Sequence, residues 1–353
     1  MGNELYDPEF VIGINFAKFF GIDFLFVKFA TTESATLPID QRTRAELLFY
    51  TFPMVREHSH STLSIPEIIS QLKYNRGLRF ADENYAQRQM EIIGYFRLRS
   101  YLQPLESDKN SHIFKPGSTF ESALDLYYFD KELRALVFTA IQSVEVAVRA
   151  LVTYPITVKY GAYWYIDPAM AANKQQFSDN LRCIQREISR SKEDFIRNHF
   201  IKYQNSELPA WKYVEISSLT TLSKIFSNFS DIQLKKSIAR NIGLPQHKIL
   251  ETWLQALTSL RNNIAHHSRL WNRIFPGTIM LPKAVHGKWI SNTNVDCGKL
   301  YALLCCVAYL QNQIHPQNNF AVKLKRLLRK YPNVDTKAMG FPAGWMDEDL
   351  WIG

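Results

Sequence analysis

The sequence predicts an all-α protein, and three observations carry that reading. Gly (14) and Pro (15) are both sparse for 353 residues, which disfavours a turn-dense all-β architecture. From about residue 60 onward, apolar residues recur at the 3.6-residue spacing of amphipathic helices. No repeat of roughly 20 to 50 residues is present, so a solenoid is excluded.

Taken in order, residues 1–55 stand apart as an N-terminal extension. Residues 10–30 are rich in aromatics and are broken by Lys18, Asp23 and Lys28. They read either as a peripheral, membrane-surface segment or as upstream sequence ahead of a later start at Met54. The second reading is preferred, because helix punctuation becomes clear only after Met54. Residues 56–117 form an N-terminal helical region. Ser64 offers an N-cap, with Pro66 and Glu67 in the first turn, for a helix ending near Gly77. A second helix runs from about Asp82 to Gly94, and residues 95–105 form a compact segment closed by Pro104. After a polar loop, Ser118 caps a short helix to about Phe129.

Residues 118–315 make the main helical domain. Over residues 130–152, Leu133, Leu136, Val137, Ala140, Ile141, Val144, Val148 and Leu151 share one stripe, the pattern of a long core helix. Glu145 and Arg149 border that stripe four residues apart, either as a surface ion pair or as the lining of a polar cleft. Further helices are predicted at about 177–205, 211–229, 231–241, 246–266 and 298–314. A last basic helix at 320–329 and an irregular tail complete a C-terminal region, 316–353.

Charge and cysteine usage narrow the function. The net charge is +9, from 42 basic and 33 acidic residues. Residues 252–334 hold eleven basic residues and one acid, Asp296, so that segment is +10 and the remainder −1. Such a field either is a solvated basic face or attracts a polyanion such as RNA, DNA or anionic lipid. Cys183, Cys297, Cys305 and Cys306 show no zinc or disulfide spacing, which fits a reducing cytoplasm, and no metal or cofactor is expected. Mean hydropathy is −0.20. No apolar run of about eighteen residues is free of charge, which argues against a membrane span. Phosphate-loop, dinucleotide, zinc-protease and serine-hydrolase motifs are all missing.

One constellation carries chemistry. Ile249, Leu250, Trp253, Leu254, Leu257, Leu260 and Ile264 form an apolar stripe, and Arg261 projects within it, so its guanidinium calls for an anionic or hydrogen-bonding partner. Asn262 and His266 are four residues apart, so the amide is placed to orient the imidazole, while His267 falls back toward the apolar side as a core histidine. Arginine holds phosphate oxygens and histidine exchanges a proton near neutral pH. In RNA the 2′-OH is an internal nucleophile, so a base, an acid and charge stabilisation suffice for metal-free phosphodiester cleavage. On a regular helix the two side chains diverge by about 140°, five steps of 100°, so one helix alone does not converge both on one phosphate. Trp211, Trp253 and Trp271 are expected in the core, and Cys305 and Cys306 as inert buried thiols.

The longer string Arg261-Asn-Asn-Ile-Ala-His266-His-Ser-Arg-Leu-Trp-Asn-Arg273 resembles the signature of the abortive-infection (Abi) family of bacterial phage-defence proteins. Ile93-Gly-Tyr-Phe-Arg97, Leu126-Tyr-Tyr-Phe-Asp130, Glu145-Val-Ala-Val-Arg149, Pro209-Ala-Trp211 and Met339-Gly-Phe-Pro342 resemble its other landmarks, in order, from about residue 60 to the end. The resemblance implies a HEPN-like helical bundle with additional helices before and after the motif helix. It implies that Arg261 and His266 are the catalytic pair of a metal-independent endoribonuclease leaving 2′,3′-cyclic phosphates. Asn262, His267, Glu145 and Arg149 become site-orienting or cleft residues. Arg269, Arg273, Lys323, Lys325, Arg326, Arg329 and Lys330 become the RNA-binding surface. A homodimer is implied, restrained by an antitoxin protein or inhibitory RNA. Two alternatives belong to other classes: a non-catalytic module that sequesters RNA, and a membrane-acting protein using residues 10–30.

Overall fold

A computed structural model describes residues 62–108, 110–203, 207–276 and 279–352, together with the backbone of two strands, β1 (Ile14–Phe19) and β2 (Ile22–Val27). These strands pair antiparallel, with Ile14 opposite Val27 and Phe19 opposite Ile22. The other readings of residues 1–55 lie outside the described residues. Residues 63–353 form one unit, and among its described residues twelve α-helices carry nearly all the regular structure.

The first helices follow their punctuation. In α1 (Ile65–Ser70) the Glu67 carboxylate accepts a 2.7 Å hydrogen bond from the Ser64 N–H, half of a capping box. Asp82 caps α2 (Glu83–Ile93) by accepting from Tyr85 N. Gly94, at φ +89, then turns the chain into α3 (Tyr95–Leu102). The loop beyond α3 holds a small antiparallel pair, β3 (Glu106–Asp108) and β4 (Ile113–Phe114), which periodicity did not reveal.

The organising element is α4 (Phe120–Tyr160), 41 residues long and capped by Thr119 rather than Ser118. The sequence suggested a break at Asp130 and an end at Val152. Instead Asp130 lies inside the helix with its carboxylate fully buried, and the helix runs past Pro155 because Ile156 stays in the core. One internal proline removes one main-chain hydrogen bond, a cost that continued burial on both sides offsets.

After α4 come α5 (Lys174–Arg190), α6 (Asp194–Lys202), α7 (Ala210–Ile216), α8 (Leu219–Asn228), α9 (Ile232–Asn241), α10 (His247–Ala265), α11 (Leu300–Ile314) and α12 (Phe320–Lys330). Two predicted helices are therefore each divided. Ser191–Glu193 is non-helical between α5 and α6, and Ser218 starts α8 afresh by accepting from Thr221 N.

Helix α4 packs against α3, α7, α8, α9, α10, α11 and α12. By length and composition α4 is apolar enough to cross a membrane; here it is the helix on which the others assemble. Helix α11 is apolar all round and buried from Leu300 through Gln311, as a central helix must be. Gln311 donates to the Ala140 carbonyl of α4 (2.6 Å). The tail is irregular but packed: Phe341, Trp345 and Trp351 surround Tyr301, and the Trp351 indole donates to the Tyr301 hydroxyl.

Candidate functional site

The motif sits at the C-terminal end of α10, whose apolar stripe from Ile249 to Ile264 is buried. The Arg261 side chain is 36% exposed, and its Nε stands 3.6 Å from Glu145 Oε2 on α4. Glu145 also accepts from Arg149 one turn further along α4. Arg149 in turn donates to Ser217 O (2.6 Å) and Val214 O, so it caps the C-terminus of α7. Glu145 and Arg149 are 11% and 13% exposed, so they are no surface pair. The structure brings Glu145, Arg149, Arg261 and Asn262 together; Asn262 Oδ1 accepts from Arg261 Nη1 at 3.4 Å. Among the described residues, no hydrogen bond joins the Asn262 amide to the His266 ring.

Helix α10 ends at Ala265, one residue sooner than its periodicity suggested, and this changes where His267 points. His266 is the C-cap, exposed, its N–H donating to Asn262 O (3.0 Å). His267 takes φ +54, the left-handed conformation that closes a helix, and is exposed rather than a core histidine.

The segment after the motif is fastened from two sides. Asp130 Oδ1 accepts from Leu270 N (3.0 Å) and Trp271 N (2.7 Å), while Oδ2 accepts from Tyr101 OH (2.8 Å) and Arg134. Burial pushes the Asp130 carboxyl up, while Arg134 and these donors favour its charged form. On the outer side, Arg97 Nη1 donates to His267 O at 2.8 Å, and Arg269 donates to Ser100 O. Arg97, Arg134, Tyr101 and Asp130 are residues that sequence reasoning assigned no role. The signal for two of them was present in the blocks ending at Arg97 and Asp130.

Charge at this end is poorly compensated. Arg97, Arg269 and Arg273 bond main-chain carbonyls, and among the described residues none has a carboxylate within 4.0 Å. Burial, and Arg269 nearby, draw the Arg273 guanidinium below its usual pKa. On α12, Lys323, Arg326, Arg329 and Lys330 are exposed. Lys330 is matched by Glu132 at 2.6 Å, and half-buried Lys325 ties down the tail through Met346 O (2.9 Å). Trp253 and Trp271 are core, but Trp211 is exposed. Cys305 and Cys306 are buried, and burial pushes both thiols well up.

An all-α bundle that presents arginine, histidine and a shared carboxylate at one helix end defines the class. The chain matches the Abi-like protein family over residues 88–272, more than half its length, and belongs to that family of abortive-infection proteins, which act in phage defence. The matched span holds Arg97, Asp130, Glu145, Arg149, Arg261 and His266. No curated protein and no solved structure matches the chain.

Proposed function

We propose that the protein is a metal-independent endoribonuclease of the HEPN type whose cleavage of RNA executes abortive infection. The observation that carries this reading is the partly exposed Arg261 side chain, 3.6 Å from one carboxylate, on the helix capped by exposed His266. In the reaction an imidazole takes the proton of the ribose 2′-OH, the 2′-oxygen attacks phosphorus, and the bond to the 5′-oxygen breaks with a proton returned to the leaving group. The products are a 2′,3′-cyclic phosphate and a 5′-OH. Arg261 neutralises the charge gathering on the phosphorane oxygens. Glu145 and Arg149 set the guanidinium's position, and Arg269, Arg273, Lys323, Arg326 and Arg329 hold the strand.

The active species is a homodimer that brings two motifs together. Val146, Ala150, Tyr154 and Val158 follow one another at four-residue steps on α4, all exposed, beginning beside Glu145. An apolar stripe there supports a second copy as its cover, with an antitoxin protein or inhibitory RNA restraining the pair. Expression of the parent should arrest growth and fragment cellular RNA, and Arg261→Ala and His266→Ala should do neither. Equal toxicity and cleavage by both variants would remove this reading. The carboxylate-free arginines favour one second reading, an RNA-sequestering module. RNA binding that survives both substitutions, with a salt dependence spanning several phosphates and no cleavage by the parent, would establish it instead.

A further inference from the structure

Phe96 is the most exposed large apolar side chain among the described residues, at 81%. A single exposed apolar side chain is ordinary on a protein surface. Its neighbours make this one different. The next residue, Arg97, grips the carbonyl of His267, adjacent to the candidate acid–base His266. One helical turn on from Phe96, the carbonyl of Ser100 receives the Arg269 guanidinium. Both arginines are fixed through main-chain oxygens and, among the described residues, have no carboxylate partner, so their positive charge is left for an external anion. An exposed ring on the helix that carries Arg97 and receives Arg269 suits the alternation of base and phosphate along a single strand, because every base has a face to stack and every linkage has a charge.

We propose that Phe96 is a stacking platform for an unpaired RNA base, with Arg97 and Arg269 holding the flanking phosphates. This subsite delivers the strand to His266 and favours single-stranded RNA, since a paired base must give up its pairing and stacking to reach the ring. The proposal rests on the reading of the protein as an RNA-acting enzyme.

The test measures binding by fluorescence anisotropy over a range of salt concentrations, using a labelled single-stranded 2′-O-methyl RNA, which lacks the free 2′-OH and is not cut. Parent, Phe96→Ala and Phe96→Trp proteins are compared, together with an abasic version of the oligonucleotide. Phe96→Ala should weaken binding about 5- to 100-fold without changing the salt slope. Phe96→Trp should bind like the parent, and the abasic strand should bind parent and Phe96→Ala alike. Parent-like affinity in Phe96→Ala, with the salt slope intact, would overturn the stacking subsite and leave the RNA reading standing. A loss that Trp does not rescue, or that the abasic strand shares, would overturn it as a structural effect. Absence of RNA binding by the parent would remove the subsite and the RNA reading together.

Discussion

Helix α4 carries two acid–arginine pairs at the same four-residue spacing, Asp130–Arg134 and Glu145–Arg149, and they do different work. The first is sealed: its side chains are 0% and 8% exposed, and Asp130 is saturated by two main-chain N–H groups, a tyrosine hydroxyl and Arg134. The second is only partly closed, and its carboxylate is shared with Arg261, which reaches the surface. One pair fastens the segment downstream of the motif, and the other faces the motif itself. A buried charge with every partner inside the protein is architecture, whereas one that leaves a neighbour half-satisfied at the surface is available to a ligand.

Removing Asp130 should expose that difference most sharply. Asp130→Ala leaves Arg134 buried without its anion and two buried N–H groups without an acceptor, a cost of about 3–5 kcal/mol that urea unfolding would read. A loss below about 1 kcal/mol would mean that the pair is not the anchor we describe. Glu145→Gln should cost less, about 1–2 kcal/mol, because Arg149 keeps its acceptors at Val214 and Ser217. The same variant leaves Arg261 uncompensated, so RNA affinity should rise a few-fold and the salt slope should steepen by about one phosphate. Unchanged affinity and slope would separate Glu145 from the RNA surface.

A third ionic contact of α4 is more exposed still and marks the small end of the scale. Asp231, the cap of α9, accepts from Lys159 and Tyr160, and Lys159 chiefly holds its carboxyl down at about 2, from an ordinary 3.8. A depressed carboxyl adds stability above its unfolded pKa and loses it as pH falls through the folded value. Stability should therefore drop between about pH 4 and pH 2 by under about 1 kcal/mol, since Lys159 is half exposed. In Asp231→Asn that portion of the acid dependence should vanish; an identical acid profile in parent and variant would show the contact to be inert.

Much of this fold was legible in the sequence because helix periodicity is local. The stripes of α4 and α10 needed no knowledge of what they pack against. The continuity of α4 was hidden for an equally physical reason: Asp130 is a favoured capping residue and Pro155 a favoured stop, and only distant partners override them. The groups that Asp130 binds lie 140 and 141 residues away. At the site, Arg261 within an apolar stripe called for an anionic or hydrogen-bonding partner, and the structure supplies Glu145 and Asn262. The place of His267 was misjudged because a helical wheel was carried past the point where α10 stops. Arg97 stood at the end of a recognisable block, but its role was not legible, since it depends on a carbonyl 170 residues downstream.

The most direct test of the central claim is to incubate purified parent and His266→Ala proteins with total RNA in EDTA and to analyse the fragment ends. The account predicts fragments from the parent alone, ending in 2′,3′-cyclic phosphate and 5′-OH. Equal cleavage by both proteins, or cleavage that EDTA abolishes, would contradict it.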